Sequence, residues 1–158
     1  MAPPVRLPLQ GGCSCGAARF SLNGTPLLIY ACHCHDCQKR SGSAFSLTAV
    51  VRTNDVAVSG PIEVARRSSR AGREIDHSAC LACGGRVLSC AVVAPDYASL
   101  RVGTFDDARW AVPIAQTFIE SAIPWAVLPG VAAVSWQDFD YAALGEAWRA
   151  TAPSFERA

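Results

Sequence analysis

The sequence predicts a mainly β fold closed by one C-terminal helix. Three observations carry this. Short stretches of alternating or β-branched apolar residues recur along most of the chain. The 12 glycines and 10 prolines are scattered, which breaks the chain into many short elements with turns between them. A helical period stands out only near the C-terminus, where Tyr141, Leu144 and Trp148 share one face at i, i+3 and i+7.

The elements follow in order. Residues 17–22 alternate small or polar with apolar positions and read as a strand. Residues 44–51 (Ala-Phe-Ser-Leu-Thr-Ala-Val-Val) read as another, stopped near Thr53-Asn54-Asp55. Residues 56–59 and 62–65 are two short strands split by the turn pair Gly60-Pro61. Residues 86–93 are apolar and β-branched enough for a buried strand, and 99–103 and 114–120 complete the set. Residues 38–43 fit a single helical turn. Asp138 is the expected cap of the terminal helix, and Pro153 ends it at the latest.

A chain of 158 residues suits one domain, residues 1–158, large enough to bury a core without disulfides. Hydrophobic residues make up 51% and charged residues 17%, which excludes disorder as the main description. Fourteen basic and 13 acidic side chains leave a formal charge of +1, unlike a dedicated nucleic-acid binder. The longest apolar tract, 123–134, is interrupted by Pro124, Pro129 and Gly130, so no membrane span is expected. The N-terminus carries Pro3, Pro4 and Pro8 and no apolar run of leader length. A cytoplasmic, reduced protein is the expectation, and there clustered cysteines point to metal or catalysis.

Eight cysteines are present, seven of them in three clusters. The first is Gly11-Gly12-Cys13-Ser14-Cys15-Gly16, the second Cys32-His33-Cys34-His35-Asp36-Cys37, the third Cys80-Leu81-Ala82-Cys83-Gly84-Gly85. Zinc takes four tetrahedral ligands, and a C-x-x-C loop brings two sulfurs onto one ion. Glycines beside such cysteines let amide N–H groups turn toward the thiolates and spread their charge. Cys13 and Cys15 with Cys80 and Cys83 make a closed four-thiolate structural site. Cys32, Cys34 and Cys37 offer three ligands and leave a fourth position open, the arrangement of a catalytic zinc. Other readings stay open at this level. The clusters could be disulfide-linked, or all seven cysteines could serve structural sites, with His33 or His35 closing the second. Cys90, in an apolar run, is expected in the core.

These residues resemble a known family. Gly-Gly-Cys-Ser-Cys-Gly-Ala at 11–17 is followed by Arg19-Phe20, then by Cys-His-Cys-His-Asp-Cys-Gln-Lys-Arg-Ser-Gly at 32–42, Cys-Leu-Ala-Cys-Gly at 80–84 and Pro124-Trp125. The pattern is similar to the glutathione-dependent formaldehyde-activating enzyme (GFA) family, whose domain is shared with centromere protein V. The resemblance covers about residues 9–126 and leaves 127–158 as a C-terminal strand and helix extension. It implies an Mss4-like fold of small antiparallel sheets. It implies two zinc ions per chain, a structural one on Cys13, Cys15, Cys80 and Cys83 and an exchangeable one on the catalytic Cys32, Cys34 and Cys37. The implied activity is that of a carbon–sulfur lyase adding glutathione to formaldehyde to give S-(hydroxymethyl)glutathione. Three positions depart from the pattern. Ala79 stands where an aromatic is usual, Gly85 where a small hydroxyl residue often follows, and Gln116 where many members carry histidine.

An open zinc position can polarise an aldehyde oxygen or hold a thiol as thiolate. His33 or His35 is a candidate for moving the proton. The expected partners are a small anionic thiol and a small aldehyde, with no nucleic acid or membrane, bound by a monomer or homodimer. Cations for such a thiol are expected from Lys39 and Arg40 and from the segment of Arg66, Arg67, Arg70 and Arg73. Phe45, Phe118 and Trp125 are pocket candidates. The substrate-contact set is thus Lys39, Arg40, Arg67, Gln116 and Trp125. Two rival classes are a non-catalytic zinc-binding module and a thiol redox enzyme whose cysteines cycle through sulfenic acid.

Overall fold

Residues 4–157 are described by a computed structural model. Met1–Pro3 and Ala158 lie outside the described residues, and with them the ends of the 1–158 domain expectation and the start of the proline-rich N-terminus. The strands are β1 (Val5–Leu7), β2 (Leu9–Gly12), β3 (Arg19–Leu22), β4 (Leu28–Cys32), β5 (Ser46–Arg52), β6 (Val56–Ser59), β7 (Ile62–Ser68), β8 (Glu74–Cys80), β9 (Arg86–Ala91), β10 (Tyr97–Arg101), β11 (Ala115–Thr117), β12 (Ala132–Ala133) and β13 (Phe155–Arg157). Helix α1 spans His35–Ser41 and α2 spans Tyr141–Thr151. The mainly β architecture with a C-terminal helix is the one the sequence predicts.

Eight strands form the largest sheet, in the order β12-β11-β4-β5-β10-β9-β8-β7. Strands β2, β3 and β6 form a three-stranded antiparallel sheet, and β1 pairs with β13. Antiparallel pairing dominates, but β11 runs parallel to both β4 and β12, and β1 runs parallel to β13. β4 is buried at all five residues: β5 and β11 pair with its two edges and α2 packs against it. A strand covered on both faces reads as a continuous apolar run rather than an alternating one. That is why its sequence, Leu-Ile-Tyr-Ala-Cys, carries no strand signal of the alternating kind. At the far edge, β7 shows Glu63, Arg66 and Arg67 to solvent, charges that discourage edge-to-edge pairing with other chains.

The core joins the sheets. Phe20, Leu22, Leu28, Ile29 and Leu100 are fully buried, each contributing roughly 1.5–3 kcal/mol by leaving water. A run of edge-to-face rings, Phe20–Phe105–Trp110–Phe155, ties the three-stranded sheet to the C-terminal strand, with centroids 5.0, 5.2 and 5.7 Å apart. Helix α2 lays Gly145 and Trp148 inward. A Cβ on Gly145 would come within 3.2 Å of the Leu27 carbonyl oxygen, so glycine lets the helix approach β4 closely. The Trp148 indole N–H donates to the Val112 carbonyl at 3.0 Å.

Several expectations are corrected. Of 114–120 only Ala115–Thr117 is strand; Phe118 adopts φ 58°, in the left-handed region, and a 3₁₀ turn follows over Ile119–Ser121. The cap of α2 is Asp140, whose carboxylate accepts from the Ala142 and Ala143 amides at 2.9 and 3.1 Å, while Asp138 sits in the 3₁₀ turn before it. The short helix begins at His35 rather than 38, because the Cys34 thiol caps it. Strands β1, β2, β4 and β8 are not among the strands the sequence predicts. β8 mixes polar and apolar residues (Glu-Ile-Asp-His-Ser-Ala-Cys), and β1 and β13 are three-residue strands defined by their mutual pairing.

Trp148→Ala removes a large buried ring and leaves the Val112 carbonyl without its indole donor. It is expected to destabilise the protein by about 3–5 kcal/mol, measured by urea unfolding followed by circular dichroism.

Candidate functional site

The four-cysteine cluster is assembled by two turns distant in sequence. Cys13 and Cys15 lie just after β2, and Cys80 and Cys83 lie at and beyond the end of β8. Their sulfurs all fall within 4.8 Å of one another, with Cys13–Cys15 at 3.5 Å and Cys15–Cys80 at 3.9 Å. A tetrahedron with ~2.3 Å zinc–sulfur bonds has edges of about 3.8 Å, so the donor set and its spacing fit such an ion. The separations far exceed the ~2.05 Å of a disulfide, and all eight cysteines are free thiols. Backbone donors converge on the sulfurs. The Ala18 amide reaches Cys13 at 3.3 Å and holds its thiol down to about 6, and the Gly85 amide reaches Cys83 at 3.4 Å and lowers it likewise. Gly84, at φ 71°, turns the chain so that its N–H reaches the Cys80 carbonyl at 2.8 Å. A Cβ at position 85 would lie 3.2 Å from both Cys83 Sγ and Cys13 Cβ, which accounts for glycine there.

The second cluster grows from the most buried strand. Cys32 ends β4, in register with Ser46 of β5 and Thr117 of β11. Cys34 is the N-cap of α1, its sulfur accepting from the Cys37 amide at 3.4 Å, and Cys37 stands in the first turn. Gln38 fastens this corner by donating to the carbonyls of His33 at 2.6 Å and Ser121 at 2.8 Å. The three sulfurs meet the same 4.8 Å criterion as the first set. The Cys32 and Cys34 thiols donating to Cys37, helped by Ser46 and Arg101, hold the Cys37 thiol far below its ordinary range, while Cys32 is pushed up. No histidine joins the set. His33 is fully buried with Nε2 3.2 Å from Gln116 Oε1, and His35 has Nδ1 3.5 Å from Arg70. Three sulfurs with the fourth side toward a cavity is an open donor set.

A family model described as "Glutathione-dependent formaldehyde-activating enzyme" matches residues 8–121. The chain belongs to this family. The matched segment contains all seven clustered cysteines. A Rhodobacter sphaeroides protein known from a structural-genomics crystal structure is similar to this chain, with 20% identity and a TM-score of 0.48 over 61% of this chain and 87% of that one. No protein of curated function matches.

In this GFA-family chain the three-cysteine cluster lines a cavity of about 340 Å³. Arg40, Arg86 and Arg101 stand on its wall, with Arg70 and Arg73 of the β7–β8 hairpin. Asp36 is the one carboxylate there, and Arg70 takes it, with the Arg70 amide 2.8 Å and its Nε 3.4 Å away. Among the described residues Arg40, Arg73, Arg86 and Arg101 form no ion pair. Arg101 donates toward Cys37 Sγ at 4.0 Å. Burial, with Arg101 and Arg40 nearby, brings Arg86 down to about 10. Arg40 donates to His77 Nε2 at 2.6 Å, which makes that nitrogen the lone-pair side; Nδ1–H then donates to Ser89 at 2.8 Å. Burial and the arginines around it hold His77 down to about 4, so it stays neutral and leaves the charge of Arg40 intact. Phe118, Trp136 and Tyr141 complete the wall.

The structure thus separates the sequence-predicted contact residues. Arg40 lines the cavity; Lys39, Arg67, Gln116 and Trp125 do not. Lys39 and Arg67 are exposed, and Trp125 is 80% exposed on a 3₁₀ turn. Gln116, 1% exposed, spends its amide on the protein itself: it donates to the Leu128 and Val131 carbonyls at 2.8 Å and accepts from the Leu128 amide at 3.0 Å. Phe118 reaches the cavity, whereas Phe45 packs on His33 with centroids 5.2 Å apart. Cys90 is half-buried against the core, where burial raises its thiol. The sequence reading missed Arg86, Arg101 and His77, which sit on separate strands; only their register brings them together.

Two predictions follow from this geometry. Cys32→Ser is expected to lower the bound metal by one ion per chain with the fold retained, whereas Cys83→Ser lowers stability sharply; metal analysis and thermal unfolding read the two. His77 also gives stability a pH dependence. Its folded value lies below the ordinary 6.5, so the unfolded state takes up the proton first as pH falls. Stability contributed above pH 6.5 is therefore lost between pH 6.5 and about 4, on the order of 3 kcal/mol, and His77→Gln removes that part of the slope in urea titrations.

Proposed function

We propose that this chain is a zinc-dependent carbon–sulfur lyase working in the addition direction, joining a thiol such as glutathione to formaldehyde or a related small aldehyde. One observation carries the reading: Cys32, Cys34 and Cys37 line the same cavity as Arg40, Arg86 and Arg101, none of which has a carboxylate partner among the described residues. Arg86 and Arg101 are half-buried, and a guanidinium partly removed from water is costly unless an anion meets it; Arg40 adds its charge from the exposed rim.

Cys13, Cys15, Cys80 and Cys83 hold the structural zinc, and Cys32, Cys34 and Cys37 hold the exchangeable, active-site one. When bound there, zinc supplies Lewis acidity and keeps sulfur in its nucleophilic form. The protein's own groups do the positioning. Arg40, Arg86 and Arg101 bind the carboxylates of the thiol substrate through charge-assisted hydrogen bonds. His77, held by Ser89, aims Arg40 without neutralising it. Phe118, Trp136 and Tyr141 add aromatic surface to the same cavity. In the reaction the thiol sulfur adds to the carbonyl carbon. A C–S bond forms, the carbonyl π pair moves to oxygen, and the thiol proton ends on that oxygen. His33, buried and turned to Gln116, takes no part; His35, on the cavity wall, is the histidine available to the substrate.

The chain works as a single domain in the cytoplasm, where thiols stay reduced. The core of residues 9–126 carries the cysteines, and the extension 127–158 supplies Trp136 and Tyr141. No helix among the described residues is long and apolar enough to cross a membrane.

Zinc-loaded protein is expected to accelerate S-(hydroxymethyl)glutathione formation from glutathione and formaldehyde above the spontaneous rate, followed by NMR. Arg86→Ala is expected to raise KM for glutathione about tenfold or more. An unchanged KM removes the arginine wall from the site, and no acceleration rejects the thiol–aldehyde pair.

A further inference from the structure

A second cavity, of about 540 Å³, opens beside the first. Its walls are largely apolar and come from Leu27, Leu28, Val50, Ala94, Ala98 and Ala142, so it lies between α2 and the strands β4, β5 and β10. Arg73, Ala91, Ser99 and Tyr141 line both cavities, so the two are adjacent and share these side chains as a common wall. Arg73 stands at the junction. Its guanidinium lies over the Trp136 ring, 4.5 Å from the centroid, and its Nε is buried without a hydrogen-bond partner among the described residues. A buried donor left unpaired costs roughly 1–3 kcal/mol, and a polar atom of a bound molecule would recover it.

Joining a peptide-sized thiol to a one-carbon aldehyde leaves this second space unused. The first cavity, about 340 Å³, already falls within the ~300–1,000 Å³ of small-molecule sites. We propose that the second cavity receives the apolar arm of a larger aldehyde, with the Arg73 Nε–H donating to a polar atom of the bound substrate at the junction. This rests on the thiol–aldehyde reading above. The arm belongs to the aldehyde because the thiol's carboxylates are met by Arg40, Arg86 and Arg101, none of which lines the second cavity. Arg52 and Arg149 stand exposed on its lining, so an arm ending in an acidic group is accommodated as well. The chemistry is unchanged. The thiol sulfur bonds the aldehyde carbon, the carbonyl oxygen receives the thiol proton, and no oxidant or reductant enters.

The test uses S-methylglutathione and S-hexylglutathione, unreactive thioethers that stand in for adducts with a short and a long arm. Each is titrated into the zinc-loaded protein by calorimetry. S-hexylglutathione is expected to bind at least about tenfold more tightly, as several methylene groups leave water. Ala142→Trp on α2, and separately Ala94→Trp on another wall, fill the second cavity and bring the ratio to about one, in variants that keep the parent's metal content. Equal affinities in the parent protein overturn the proposal while leaving the thiol site standing. So does a ratio that survives both substitutions. Binding of neither compound rejects the thiol site itself, and the proposal with it.

Discussion

The burial of β4 is the constraint on which the rest of the site depends. β5 and β11 hydrogen-bond to its two edges, and all five of its residues are removed from solvent. That double anchoring fixes where Cys32 ends and where the chain must turn into α1. Cys34 and Cys37 then follow from the geometry of a helix start: one caps, the other stands a turn later and donates its amide to the first. The same sheet supplies the cations. Arg101 ends β10, opposite Thr48 of β5, and Arg86 begins β9. Cys32, Arg86 and Arg101 thus share one sheet, and Cys34, Cys37 and Arg40 follow on the short helix into which β4 leads.

The two cysteine clusters handle charge differently. In the four-cysteine set, backbone amides from Ala18 and Gly85 do much of the stabilising, and the site is complete in itself. In the three-cysteine set, a side-chain cation lies at 4.0 Å from Cys37, and the wall beyond carries more. A closed set needs only local dipoles to balance it. An open set beside unpaired arginines holds a surplus of positive charge for something that arrives from outside.

Legibility in the sequence followed range. The cysteine clusters are readable because C-x-C and C-x-x-C spacings are local, and the strands 17–22, 44–51, 56–59 and 62–65 because alternation and turn pairs are local. Arg86, Arg101 and His77 were not, since their meeting requires the registers of β5, β8, β9 and β10. Lys39 and Arg40 were read as one basic pair, yet neighbours on a helix point about 100° apart, and only Arg40 faces the cavity. Gln116 is expected from the sequence as a substrate contact. Its amide is consumed in holding residues 128–131, a loop contact that nothing near position 116 announces.

The parallel pairing of β1 with β13 has a consequence for how the molecule is made. Val5 is partnered by Phe155, so the first strand waits for nearly the whole chain to be synthesised. At ~5–20 residues per second that wait is roughly 7–30 s. For the last 45 residues of it Trp110 lacks the Phe155 ring that packs on it in the finished fold, and Trp148 lacks it for only seven. Trp110 thus precedes its cover in synthesis, and the seam between β1 and β13 closes only once Phe155 is made.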